Sequence, residues 1–126
     1  MGRHTILVVE DEPSVRELAV DVLRDQGYDV VEAQDGVEAI RALEQRDPSA
    51  SELSLILLDM MLPGMDGLRV LGHVRALGAC PPVVAMSASR RLLATALATG
   101  AQAALYKPFD LNDLVGTVTG HCTPRD

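Results

Sequence analysis

The stretch Leu55-Ile56-Leu57-Leu58-Asp59-Met60-Met61-Leu62-Pro63-Gly64-Met65-Asp66-Gly67 decides the fold. It opens as a continuous apolar run, the pattern of a strand buried on both faces of a parallel sheet rather than one with a wet side. The run stops at a carboxylate, and Pro63, Gly64 and Gly67 mark the turn beyond it. Three other segments repeat the arrangement. Ile6-Leu7-Val8-Val9 ends in Glu10-Asp11-Glu12, Val83-Val84-Ala85-Met86 ends in Ser87, and Ala103-Ala104-Leu105-Tyr106 ends in Lys107-Pro108-Phe109. In an open parallel sheet, strand ends on one edge form the ligand crevice. Three acids, a hydroxyl and a lysine are therefore expected to meet, which suits metal and phosphoryl chemistry.

Between these runs lie amphipathic stretches. Ser14-x-x-Glu17 reads as a capping box, followed by Val15, Leu18, Ala19, Val22 and Leu23 at helical spacing, and Gly27 stops that helix. Asp29–Ala33 is a short strand. Val37 to Arg46 is a helix with Val37, Ile40 and Leu43 inward, and residues 47–51 form a loop. Leu53–Leu58 is the third strand. A helix opening near Asp66, its cap, carries Leu68, Leu71 and Val74. Pro81-Pro82 introduces the fourth strand, and a helix over Arg90–Thr99 closes at Gly100. The last helix is capped by Asp110 and buries Leu111, Leu114, Val115 and Val118. Five strands alternating with five helices predict an α/β, doubly wound, flavodoxin-like (βα)5 sandwich. Its parallel sheet is expected in the order 2-1-3-4-5 with helices on both faces, the whole of residues 1–126 acting as one domain with its core over about 5–122.

Composition narrows the function. The chain of 126 residues is 48% hydrophobic but only 2% aromatic, so its core must be aliphatic. A net charge of −7 argues against nucleic-acid binding by this domain, because phosphate affinity needs clustered Lys and Arg. Cys80 and Cys122 stand alone, with no zinc-ligand spacing, and read as reduced thiols. No signal peptide precedes the first strand and no apolar run approaches a membrane span, so a cytoplasmic, membrane-free protein is expected. His4, His73 and His121 are scattered and read as surface residues. Met60, Met61 and Met65 read as packing, and Arg90-Arg91 as a solvated helix start.

Crowded carboxylates repel unless a cation joins them. Two unit charges about 4 Å apart cost roughly 4 kcal/mol at an effective dielectric of 20. Carboxylate, carbonyl and water oxygens are the ligands Mg²⁺ takes. Thus neutralised, Asp59 could attack a phosphorylated donor, with Ser87 and Lys107 on the phosphoryl oxygens.

Those residues give the chain its resemblance to the receiver domains of two-component response regulators. The resemblance rests on Leu7-Val8-Val9-Glu10-Asp11-Glu12-Pro13, Leu58–Gly67, Met86-Ser87-Ala88 and Lys107-Pro108-Phe109. It implies that Asp59 accepts the phosphoryl group and that Asp11 ligates Mg²⁺ directly, with Glu10 beside it acting more often through water. By the same resemblance Met61 supplies a backbone carbonyl to the metal, and the Ser87 hydroxyl and Lys107 engage the phosphoryl group. It also implies a cis bond before Pro108. Implied partners are a sensor histidine kinase or histidine phosphotransfer protein, and a downstream protein or second copy on the helix 4, strand 5, helix 5 face. Such a domain is no enzyme in the ordinary sense, catalysing only its own phosphorylation and dephosphorylation.

The chain departs from the family pattern at several positions. Glu10 stands where Asp is commoner and Ser87 where Thr is commoner. Ala104 occupies the position of the family's switch aromatic, and Tyr106, on the same strand face, could replace it. The segment from Ser87 to Lys107 is also slightly short. Three other functions compete with this one. A pseudo-receiver that binds partners without phosphorylation is the alternative that Ala104 leaves open. An aspartate-nucleophile phosphatase of the haloacid dehalogenase type needs an acid where Met61 stands. A flavodoxin-like cofactor domain needs a phosphate loop where Glu12-Pro13 stands.

Overall fold

The computed structural model describes residues 4–44, 53–76 and 81–122. Its central strand is β3 (Leu53–Asp59), flanked by β1 (Thr5–Val9) and β4 (Val83–Ser87), with β2 (Asp29–Ala33) and β5 (Ala103–Tyr106) outside them. All pairings are parallel and the order is β2-β1-β3-β4-β5, as the alternation of elements predicts. Interleaved are α1 (Pro13–Asp25), α2 (Gly36–Glu44), α3 (Gly67–Arg75), α4 (Arg90–Thr99) and α5 (Leu111–His121).

The inner strands are apolar along their middles because each face meets helices. Leu7, Val9, Ile56, Leu58, Val83 and Ala85 pack toward α2, α3 and α4, while Ile6, Val8, Leu55, Leu57, Val84 and Met86 pack toward α1 and α5. Both layers are nearly devoid of aromatics: Tyr28 is buried, with its hydroxyl donating to the Cys122 carbonyl, and Phe109 packs at the edge of the same layer. Helices α3 and α5 begin as expected, with Asp66 Oδ1 accepting from the Arg69 amide and Asp110 Oδ1 from the Asp113 amide. Helix α4 spans the predicted residues, capped by Ser89 and ended by Gly100 at φ +124°.

Several expectations need correction. The Ser14 capping box does not form: Pro13 starts α1, Glu12 is the cap residue, and the Ser14 hydroxyl instead donates to Glu12 Oε1. Proline at the first helical position explains the earlier start, since its missing N–H costs nothing there. The buried stripe of α1 is then Ala19, Val20 and Leu23, and Leu18 is left half exposed. In α2, Gly36 lies against Met65 and Val70, so the buried positions run Gly36, Ala39, Leu43 and Val37 faces solvent. Leu111 is exposed at the start of α5, with Leu114 and Val118 doing the packing. The predicted end of α2, the 47–51 loop and Cys80 lie outside the described residues.

Candidate functional site

The sheet brings four strand ends to one edge. Val9 pairs with Leu58 and Asp59 with Met86, so Glu10, at the end of β1, lies beside Asp59. Ser87 pairs with Tyr106 and its carbonyl accepts from the Lys107 amide at 2.9 Å, placing the β4 and β5 termini at the same level. Here a local apolar pattern becomes chemistry: burial of the strands carries their terminal polar residues inward with them. Glu10 is 1% exposed, Asp59 4% and Ser87 1%, whereas Asp11 is exposed at the rim.

The Lys107 ammonium joins the buried acids. Its Nζ lies 2.5 Å from Glu10 Oε1 and 3.1 Å from Asp59 Oδ2. The other oxygens are also held, since Asp59 Oδ1 accepts from the Met61 amide at 2.9 Å and Glu10 Oε2 from the Glu12 amide at 3.1 Å. Ser87 Oγ accepts from the Ser89 amide at 3.0 Å, which leaves the hydroxyl proton as a donor. Among the described residues no buried side-chain polar atom lacks a partner.

One lysine does not balance these acids. Glu10, Asp11 and Asp59 each offer a carboxylate oxygen within 4.8 Å of the others, the only such group among the described residues. With all three ionised and Lys107 protonated the cluster carries a net −2 (three negative, one positive). Burial pushes the Glu10 carboxyl up to about 7, its Lys107 hydrogen bond opposing and neighbouring Asp59 adding to the rise. Burial by itself would lower the Lys107 ammonium, but its hydrogen bond to Glu10 and the nearby Asp59 charge raise it overall. Oxygen donors alone, without thiol or imidazole, fit a hard dication and not zinc.

This has a consequence for stability. A carboxyl raised in the folded protein favours the protonated form, so the Glu10 contribution is complete below its unfolded value of 4.5 and is lost as pH rises through about 7. In chelator, Glu10→Gln should therefore gain on the wild type between those values, by about 2–3 kcal/mol, and level off above. Urea titrations of both proteins on either side of the window check this; a constant difference contradicts it.

Of the sequence-predicted site residues, Glu10, Asp11, Asp59 and Lys107 come together through their side chains, while Ser87 stands at the neighbouring strand end with its Oγ on the Ser89 amide. Met61 joins through its amide on Asp59, and its side chain is 62% exposed. The Lys107–Pro108 bond is cis, as anticipated. Tyr106 is on the same face of β5 as Ala104, is half exposed, and stacks under the Arg90 guanidinium at 4.1 Å. Only Ala88 and Ser89 separate β4 from α4, in keeping with the short spacing. Sequence reasoning missed Arg16, whose Nη1 donates to the Glu10 carbonyl at 2.9 Å. A cation in the first turn of a helix opposes the helix dipole, and that was the available signal.

The fold and this edge define a parallel α/β module with a cluster of acids and one lysine at the carboxyl ends of its strands. Residues 6–119 match the family described as response regulator receiver domain, and the chain belongs to that family of two-component signalling proteins. Among relatives, the DNA-binding response regulator MtrA of Mycolicibacterium smegmatis is 37% identical over 117 residues, covering 92% of this chain and 49% of that protein. The transcriptional regulatory protein TrcR of Mycobacterium tuberculosis is 35% identical, covering 91% of this chain and 44% of TrcR. The chain thus spans about half the length of the curated relatives it matches. The receiver domain of NtrX from Brucella abortus superposes with a TM-score of 0.82 at 31% identity, over 92% of this chain and 96% of that one. TrrA of Thermotoga maritima, solved in complex with Mg²⁺-BeF, gives 0.81 at 28% identity, over 93% and 97%. Among the described residues no helix is long and apolar enough to cross a membrane.

Proposed function

We propose that the chain is a phosphorylatable receiver, acting as one module, in which Asp59 takes a phosphoryl group from a phosphohistidine protein or a small phosphodonor. The observation that carries this reading is the buried Asp59 carboxylate, held between the Met61 amide and Lys107 within a cluster of acids. Glu10, Asp11, Asp59 and the Met61 carbonyl would hold Mg²⁺, the dication present in the TrrA complex. When bound, it supplies the positive charge that lets three carboxylates and an incoming phosphoryl group share one site.

The chain's own residues do the rest. Asp59 attacks phosphorus: an O–P bond forms on the carboxylate while the bond from phosphorus to the donor nitrogen or oxygen breaks, giving an acyl phosphate. Lys107, still protonated, pairs with a phosphoryl oxygen, and the Ser87 hydroxyl donates to another. Because Ser87 Oγ also accepts the Ser89 amide, and Ser89 caps α4, reorientation of Ser87 bears directly on the start of α4. The surface of α4, β5 and α5, including Tyr106 and Arg90, would present the change to a protein partner or a second copy. The relatives' DNA-binding names concern proteins about twice this span, and this chain's net charge of −7 favours protein partners. An unphosphorylated pseudo-receiver is the weaker reading, because it gives no reason for a buried Asp59 beside Lys107.

Incubation with acetyl phosphate and Mg²⁺, followed by intact-mass spectrometry, tests the proposal. One added phosphoryl group is expected, absent in Asp59→Asn and in chelator; no gain in the wild type would favour the pseudo-receiver. A Tyr106 fluorescence signal that stays constant on phosphorylation would remove that residue from the switch.

A further inference from the structure

Glu10 is held at every polar atom. Its amide donates to the Ala33 carbonyl at 3.0 Å, its two side-chain oxygens accept from Lys107 and Glu12, and its carbonyl accepts from Arg16. The last bond is the one no strand or turn supplies. The Glu10 carbonyl belongs to the peptide that continues into Asp11. Among the described residues no hydrogen bond holds the Asp11 side chain itself, so its place depends on that backbone. Arg16 is fixed in turn: its Nε lies 3.4 Å from Glu32 Oε1 on β2, and its side chain is mostly buried. The two contacts use different nitrogens of one rigid guanidinium, which lysine could not reproduce.

We propose that Arg16 is a positioning residue of the metal site, fixing the Glu10–Asp11 peptide, and with it the Asp11 carboxylate, by bridging the Glu10 carbonyl to Glu32. The inference rests on the magnesium reading above. Its direction runs against simple electrostatics, since a cation near the cluster would by itself repel Mg²⁺. Removing Arg16 should nevertheless weaken metal binding, because orientation of ligands by outer partners commonly contributes tenfold or more. Glu32 acts only through Arg16, so the two substitutions should not add.

The test is calorimetric titration of Mg²⁺ into wild type, Arg16→Met, Glu32→Gln and the double variant, with amide hydrogen exchange of each in chelator. Arg16→Met is expected to bind Mg²⁺ about tenfold more weakly, Glu32→Gln less so, and the double variant no more weakly than Arg16→Met. In chelator the Asp11 and Glu12 amides should exchange faster in Arg16→Met, with β1 and β3 unchanged. Equal or tighter Mg²⁺ binding by Arg16→Met overturns the proposal. Should the wild type bind no Mg²⁺, the magnesium reading fails and exchange alone decides: unchanged Asp11 and Glu12 amides then overturn the tether. Should Arg16→Met not fold, Glu32→Gln is read on the same two scales.

Discussion

Lys107→Met, measured in chelator at about pH 8, is expected to lose roughly 3–5 kcal/mol of stability, because breaking a buried ion pair leaves uncompensated charge inside. Its Nζ touches both Glu10 and Asp59, and methionine keeps much of the stem's packing while removing the cation that, among the described residues, pairs with both carboxylates. The loss should shrink at lower pH, where Glu10, with its carboxyl raised to about 7, is already protonated. Saturating Mg²⁺ should recover part of it, since a ligand that binds only the folded state stabilises that state. Urea denaturation with and without Mg²⁺ reads all of this. Wild-type stability for Lys107→Met in chelator would mean the buried carboxylates need no counter-ion.

Gly67→Ala should be nearly as damaging for a different reason. A Cβ at Gly67 would lie 2.5 Å from the Met60 Cα and 2.8 Å from the Asp59 carbonyl oxygen. Neither is the free end of a side chain, so the β3–α3 connection itself must move. Overpacking of this kind costs about 1–3 kcal/mol, and more when backbone is the obstacle. The displaced atoms belong to the segment that carries the proposed phosphoacceptor, so phosphoryl uptake should slow as well. Gly72→Ala is the control. Gly72 is in the same helix with nothing within 4 Å of an added Cβ, and alanine there should stabilise by about 0.5–1 kcal/mol. Equal behaviour of the two variants would contradict the packing argument.

The architecture was legible because the buried strands are apolar without interruption and end in polar residues. Leu55–Leu58 before Asp59 and Ile6–Val9 before Glu10 announce both the sheet and its functional edge. Less legible was which side of each helix turns inward. Leu18, Val37 and Leu111 satisfy helical spacing yet face outward; in α2 this follows from Gly36, which admits a close approach to Met65 and Val70. Periodicity defines a stripe, but the neighbouring element decides which of two adjacent stripes is buried. Convergence of Glu10, Asp11, Asp59, Ser87 and Lys107 followed from topology. The tight Lys107–Glu10 contact and the Arg16 bridge did not, since both join residues far apart in sequence or bind backbone. Exposed Met61 gave no signal beyond the resemblance, because a backbone role leaves no mark on side-chain type.

The central claim is that Asp59 itself becomes the acyl phosphate. Its most direct test is borohydride reduction of protein treated with Mg²⁺ and acetyl phosphate, followed by peptide mapping. An aspartyl phosphate is reduced to homoserine, and the account predicts that product at position 59 alone, absent when chelator is added first. Homoserine at another position, or phosphoryl uptake with residue 59 unchanged, would contradict it.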